Sequence, residues 1–338
     1  MSERPNKPRS VAVLGGGAWG TTVALVAMRA GCVVTLYVRD ETIAATMREC
    51  RFHPHSLEGV RLPETLEITA HLDEALDCVG TAVLAVPTQA MRAFASQHQR
   101  LFGERTLVSA AKGLELGTLE RPSEILVDVL GQGATDRIAV LSGPNLAAEI
   151  AIGKPAASVV ASSNSRTARD VQHLLQSSTF RTYVSADVIG VELGGALKNI
   201  IAIGAGIADG LDVGANAKAS LLTRGIAEIT RLGVASGAEA STFGGLSGMG
   251  DLMATCYSAL SRNYRVGVGV AAGRTLVEIL DEQKETAEGI TTIQAALELA
   301  KLLQVHLPIA EQLAHVLFEN GSPRKAINDL MTRRATDE

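Results

Sequence analysis

The sequence predicts an α/β fold: a doubly wound, mainly parallel sheet followed by an all-helical C-terminal domain. Three observations carry this. An apolar run of strand length, Val11–Leu14, leads directly into Gly15-Gly16-Gly17-Ala18-Trp19-Gly20 and the helix-like stretch Thr21–Ala30. Strand-like and helix-like segments then alternate through the first half, as βαβ units do. Near Asp187 strands become scarce and helical periodicity takes over. A length of 338 residues fits two domains. We read 1–9 as a disordered lead-in, 10–187 as a dinucleotide-binding domain and 188–338 as a helical substrate and catalytic domain.

The expected strands are Val11–Leu14, Val33–Val38, Leu66–Thr69, Thr81–Val86, Thr106–Ser109 and Ile138–Leu141, then Ala157–Ala161 and Phe180–Val184. Helical stretches lie between them, among them Ile43–Cys50, Pro122–Leu130, Leu146–Ala151 and Arg166–Leu175. The second domain is expected to contain helices over Val188–Ile207, Ala217–Leu232, Leu276–Leu280, Thr292–Leu303 and Ile309–Phe318.

Composition excludes several classes. Hydrophobic residues are 46 % and charged residues 20 %, a globular balance. The net charge of −5 and 3 % aromatics leave no basic face or stacking platform for nucleic acid. Cys32, Cys50, Cys78 and Cys256 are widely spaced, without metal-ligand spacing, so no metal site is expected. They suit a reducing compartment. No uncharged run of 18 apolar residues appears, and Met1–Arg9 lacks the apolar stretch of a secretory signal. A cytoplasmic protein is expected.

The glycine motif is a Rossmann-type signature. Gly15 permits the tight turn, Gly17 lets backbone approach a pyrophosphate, and Gly20 lets helix pack on strand. Ala18 and Trp19 lie in the turn ahead of the Thr21–Ala30 helix, whose free N–H groups and dipole favour phosphate. Arg39 follows the second strand and suits a 2′-phosphate, so NADP(H) is favoured. Asp40, one residue later, keeps NAD(H) possible; it also suits a helix N-cap. Lys112 lies just beyond the fifth strand, and Gly143 and Asn145 just beyond the sixth, where ligands of doubly wound sheets bind. Asn145 could equally be a helix N-cap.

Two further segments stand out. In Gly194-Gly195-Ala196-Leu197-Lys198-Asn199, the glycines precede Lys198 by four and three residues, which clears a shelf under its side chain. Buried lysine is rare unless paired. The stretch Gly244–Gly250 reads as a glycine-rich loop delivering Asp251. Ser261 is expected to cap a helix whose first turn holds Arg262 and Asn263, an arrangement suited to phosphate.

Together these segments resemble the bacterial NAD(P)-dependent glycerol-3-phosphate dehydrogenases, from Val11 to about Ala326. The specific stretches are Gly15–Gly20, Ala111–Glu115, Ser142–Pro144, Gly190–Asn199, Gly214–Ala217, Thr223–Gly225 and Gly248–Leu252 with Ser261–Asn263. The resemblance implies reversible oxidation of sn-glycerol 3-phosphate to glycerone phosphate, for phospholipid synthesis, commonly by a homodimer. It implies Lys198 as proton acceptor and donor, with Lys112 and Asp251 beside it. Lys112, Gly143, Asn145, Asn199, Asp251, Ser261, Arg262 and Asn263 would line the substrate site. Trp19, Arg39, Lys112, Ala147, Arg262 and Glu288 would contact the cofactor. Burial and Lys112 are expected to lower the pKa of Lys198, and Asp251 to raise it. Asn145, Trp19 and Ala111 depart from the family's commoner Thr or Ser, Tyr and Thr. Two other readings remain: a β-hydroxyacid dehydrogenase or ketoacid reductase, and a non-catalytic NAD(P)H sensor.

Overall fold

A computed structural model describes residues 9–283 and 287–333. Most of the expected lead-in therefore lies outside the described residues. Eight strands form one sheet: β1 (Ser10–Leu14), β2 (Val33–Tyr37), β3 (Glu67–Thr69), β4 (Thr81–Leu84), β5 (Thr106–Ser109), β6 (Ile138–Ser142), β7 (Ala156–Ala161) and β8 (Phe180–Ser185). Their spatial order is β3-β2-β1-β4-β5-β6-β7-β8. Every neighbouring pair is parallel except β6 and β7. Val11, Ala12, Val13 and Leu14 are wholly buried, as expected of a strand covered on both faces. The order reverses between β1 and β4, and such a switch point opens a crevice at the strands' carboxyl ends. β4 stops two residues short of the expected Val86. Ala85 N still donates to Leu14 O (2.8 Å), but Pro87 has no N–H with which to extend the ladder.

The chain divides into two units, each with its own apolar core. The first runs to Ala111 and resumes over Pro122–Val188; the second comprises Lys112–Arg121 and the chain from Ile189 onward. The division expected at 187/188 gave each domain one continuous stretch. In the structure Lys112–Arg121 joins the helical unit instead, because Leu114 is fully buried in that unit's core. Arg121 also pairs there with Glu192 (2.6 Å).

The regular elements of the second unit, among its described residues, are all helices. Its central helix, Val188–Gly210, is long and apolar enough to cross a membrane by length and composition, yet 89 % of its apolar window is buried inside the protein. It is a core helix. The helix Arg262–Ala271 packs against it backbone to backbone. A Cβ at Gly206 would overlap the carbonyl of Tyr264, and one at Gly267 would overlap that of Ile203.

Candidate active site

In the first unit the glycine motif folds at the end of β1. Gly15 has φ +130°, and a Cβ there would stand 2.5 Å from Ala85 O. A Cβ at Gly20 would overlap the Gly15 carbonyl, whereas Gly17 faces open space. Gly17 is the N-cap of the helix Ala18–Arg29, and its amides receive no side-chain cap. The Trp19 indole N–H donates to Ala110 O (3.2 Å), which anchors the ring to the end of β5. Thr22 Oγ donates to Ala147 O (3.3 Å) and ties the start of the helix Ala147–Ala151 to the motif helix. Asp40 caps the helix Glu41–Cys50 by accepting from Thr42 N and Ile43 N. Arg39 stands exposed just beyond β2.

Beyond β6, a Cβ at Gly143 would lie 2.9 Å from Ser158 Cα, so glycine here admits β7. Asn145 is not the helix cap that was the alternative; Leu146 holds that position. The amide of Asn145 turns toward β7 and accepts from Ser158 Oγ (2.6 Å). Its Nδ2, Ser142 Oγ and Thr88 Oγ1 are buried without a partner among the described residues. Buried polar groups nearly always have partners. Ser142 ends β6, Asn145 follows it and Thr88 follows β4, so each of the three orphans stands at or just past the carboxyl end of a strand. With the uncapped amides at Gly17, they fit a polar, phosphate-bearing dinucleotide at this edge.

In the second unit, Asp251 accepts from two ammonium groups: Lys198 Nζ at Oδ1 (2.9 Å) and Lys112 Nζ at Oδ2 (2.5 Å). The Lys198 and Asp251 side chains are 8 % and 3 % exposed, and that of Lys112 is 15 %. Lys198 also donates to Thr255 Oγ1 (2.6 Å), which in turn donates to the Asp251 carbonyl (2.6 Å). An ammonium has three N–H donors. The third on Lys198 meets no partner among the described residues. Burial holds the Lys112 pKa below its ordinary value, and the Lys198 charge adds to this. Asp251 and Glu288 pull in the opposite direction.

The backbone reasons differ from the expected ones. Residues 246–250 form a π-helical turn running into the helix Asp251–Cys256, where a loop was expected. A Cβ at Gly248 would overlap the Phe243 backbone, so glycine is needed for packing. Gly194 admits this same turn: its Cβ would lie 2.8 Å from Ser247 O. Gly194 thus clears space for the backbone of a turn that runs into the helix carrying Asp251. Thr255 escaped the sequence reading, although its spacing of four from Asp251 marks one helix face.

Ser261 caps the helix Arg262–Ala271 by accepting from Tyr264 N (3.2 Å), which puts Arg262 and Asn263 in its first turn. Asn263 Oδ1 accepts from Gly289 N (3.0 Å), at the start of the helix Glu288–Leu302. A Cβ at Gly289 would stand 2.6 Å from Asn263 Oδ1 and 3.0 Å from Asn199 O. The fold therefore brings Asn199, Asn263 and the start of the Glu288 helix together, and Glu288 acts electrostatically on Lys112. Gly15–Gly20, Arg39, Gly143, Asn145 and Ala147 belong to the first unit.

A doubly wound sheet with a glycine-rich β1 turn, joined to a helical unit with a buried lysine, defines the class of two-domain nicotinamide-dependent oxidoreductases. Within that class, residues 10–168 match the NAD-dependent glycerol-3-phosphate dehydrogenase N-terminus and 187–328 the C-terminus. The chain belongs to the NAD-dependent glycerol-3-phosphate dehydrogenase family. It is 46 % identical over 332 residues to glycerol-3-phosphate dehydrogenase [NAD(P)+] of Streptomyces griseus, covering 98 % of each chain. The crystal structure of glycerol-3-phosphate dehydrogenase from Coxiella burnetii superimposes with a TM-score of 0.91 at 34 % identity, covering 96 % of this chain and 99 % of that one. A ketopantoate reductase from Ralstonia eutropha shares the fold alone, with a TM-score of 0.57 and 12 % identity over 95 % of this chain and 99 % of that one.

Proposed function

We propose that the protein interconverts glycerone phosphate and sn-glycerol 3-phosphate with NAD(P)H, and that Lys198 moves the proton. The observation that carries this is one buried carboxylate, Asp251, held by two ammonium groups, with a third N–H of Lys198 left over in a chain of this family. The nicotinamide, when bound, supplies or takes up the hydride. Its carrier would be held by Gly15, Gly17, Ala18, Trp19 and Gly20 at the pyrophosphate. Arg39 would meet a 2′-phosphate, with Lys112, Ala147, Arg262 and Glu288 as further contacts. The exposed guanidinium of Arg39 supports a preference for NADP(H), with NAD(H) also accepted.

As the ketone is reduced its oxygen gains negative charge. Lys198 donates its remaining N–H to that oxygen and then delivers the proton. Asp251 and Thr255 occupy its other two donors and keep Nζ in one place. Lys112 stabilises the developing alkoxide. Arg262, Ser261 and the Nδ2 of Asn263 hold the phosphate, since Asn263 Oδ1 already accepts from Gly289 N. Gly143, Asn145 and Asn199 complete the substrate contacts. In the reverse direction neutral Lys198 takes the hydroxyl proton. The product would feed phospholipid synthesis, and a homodimer in the cytoplasm belongs to the same proposal. All four cysteines are unpaired, as in a reducing compartment.

The test is loss of reduced-nicotinamide absorbance with glycerone phosphate, using NADPH and NADH in parallel and a 2-keto acid as the competing substrate. Saturable loss with the phosphate ester alone is expected. Turnover of the keto acid instead, or of neither, would sink the reading.

A further inference from the structure

His53 lies in the turn that follows the helix Glu41–Cys50, outside every motif of the sequence reading. Its Nδ1 receives the backbone N–H groups of His55 and Ser56 (3.1 Å each) and lies 3.0 Å from Ser56 Oγ. A ring nitrogen that accepts from backbone N–H carries no proton, so the proton sits on Nε2. Nε2 lies 2.7 Å from Gly16 O and donates to it. Among the described residues, one other contact reaches that carbonyl, from Thr21 Oγ1 at 3.5 Å, the limit of a hydrogen bond.

Gly16 is the second glycine of the dinucleotide motif. A Cβ there would stand 2.7 Å from Val38, so the residue is wedged against the end of β2. The Gly16–Gly17 peptide is trans. In a planar trans peptide C=O and N–H point opposite ways. With the Gly16 carbonyl turned to His53, the Gly17 N–H points away from it, at the residue that faces open space and caps the motif helix. The His53 turn thus fixes the orientation of a peptide in the phosphate-binding turn.

We propose that His53 is a positioning residue for the cofactor: it holds the Gly16–Gly17 peptide so that the turn's amides are preset for the pyrophosphate. This rests on the reading of the glycine turn as the NAD(P)H site. The test compares His53→Phe, which keeps a ring and loses the hydrogen bonds, with His53→Gln, whose amide can still donate to Gly16 O. For each, NADPH Kd is read by fluorescence titration, and kcat and both KM values by absorbance. His53→Phe is expected to weaken NADPH by about tenfold, the worth of one good hydrogen bond. The kcat at saturating NADPH and the KM for glycerone phosphate should stay near wild type. His53→Gln should recover most of the lost affinity. If the Phe variant does not fold, His53→Ala takes its place in the comparison.

Unchanged NADPH affinity in the Phe variant would overturn the proposal. So would equal impairment by Phe and Gln, or a fall in kcat with unchanged Kd. Wild-type protein that binds neither NADPH nor NADH would instead overturn the cofactor-site reading, and this proposal with it.

Discussion

At the scale of single residues, the geometry around Asp251 sorts the two lysines by task. Lys198 has two donors engaged and one left, so its removal should strike turnover first. Lys198→Ala is expected to lower kcat by about 10³-fold, within the usual range for a lost general acid, while NADPH affinity changes little. Stopped-flow or steady-state absorbance checks this, and near-normal turnover would refute the assignment. Lys112 makes a different prediction. Its pKa lies below the ordinary 10.5 through burial first, so it loses its charge at lower pH than a free lysine. Activity that needs the Lys112 charge should fall on the alkaline side before pH 10.5. Lys112→Arg, always charged, should move that limb upward in a pH–rate profile. Arg39 stands apart as an exposed cation. Arg39→Ala should raise the KM for NADPH about tenfold or more and leave that for NADH nearly unchanged, since charge-assisted bonds to a phosphate are worth more than neutral ones. Equal effects on both cofactors would remove Arg39 from the 2′-phosphate.

Among the elements, one helix pair meets through backbone. The helices Val188–Gly210 and Arg262–Ala271 meet through Gly206 and Gly267, each against the other's backbone. Gly267→Ala forces them apart, and a loss of about 1–3 kcal/mol in thermal or urea unfolding is expected from overpacking. Glu228 joins two other elements. It lies on the helix Ala215–Ala235 and accepts from Ile309 N and Ala310 N (3.0 Å each), at the start of the helix Pro308–Phe318. Burial pushes its pKa up to about 7, against the pull of those two N–H groups. A carboxyl whose folded pKa is raised holds its proton more tightly folded than unfolded. Its contribution is therefore fully present below the ordinary value of 4.5 and is lost as pH rises through about 7. Denaturant melts across that window should show this slope in wild type and a flatter curve in Glu228→Gln. The Gln variant should also lose about 1–3 kcal/mol, because its NH₂ faces a backbone N–H.

For the whole molecule, the two units carry separate cores: aliphatic residues from both faces of the sheet in one, and the buried helix Val188–Gly210 at the centre of the other. A ligand that binds only the folded state raises stability by mass action. NADPH at a hundredfold excess over its Kd should add about 2.7 kcal/mol to unfolding, seen as a raised Tm. Gly15→Ala should abolish that rise, because φ +130° and the 2.5 Å approach to Ala85 O exclude a Cβ. A Tm that does not respond to NADPH in wild type would contradict a cofactor site on the first unit.

Local signals along the chain were enough to place the strands and most helices. Apolar runs and the glycine motif are local signals, and β5 and the helix Pro122–Leu130 fall at their expected limits. The sequence also marked Lys112, Lys198 and Asp251 as special, because lysine in apolar surroundings and an aspartate after four glycines are conspicuous on their own. Why glycine stands at 194 and 248 becomes visible only once the chain is folded. The one at 194 makes way for the backbone of Ser247, and the one at 248 for that of Phe243. The first requirement lies in a neighbour more than 50 residues away and the second in a tight local turn, and neither leaves a periodicity. The same reason hid Thr255, the transfer of Lys112–Arg121 to the helical unit, and His53. Each acts through a partner brought near only when distant parts of the chain fold together.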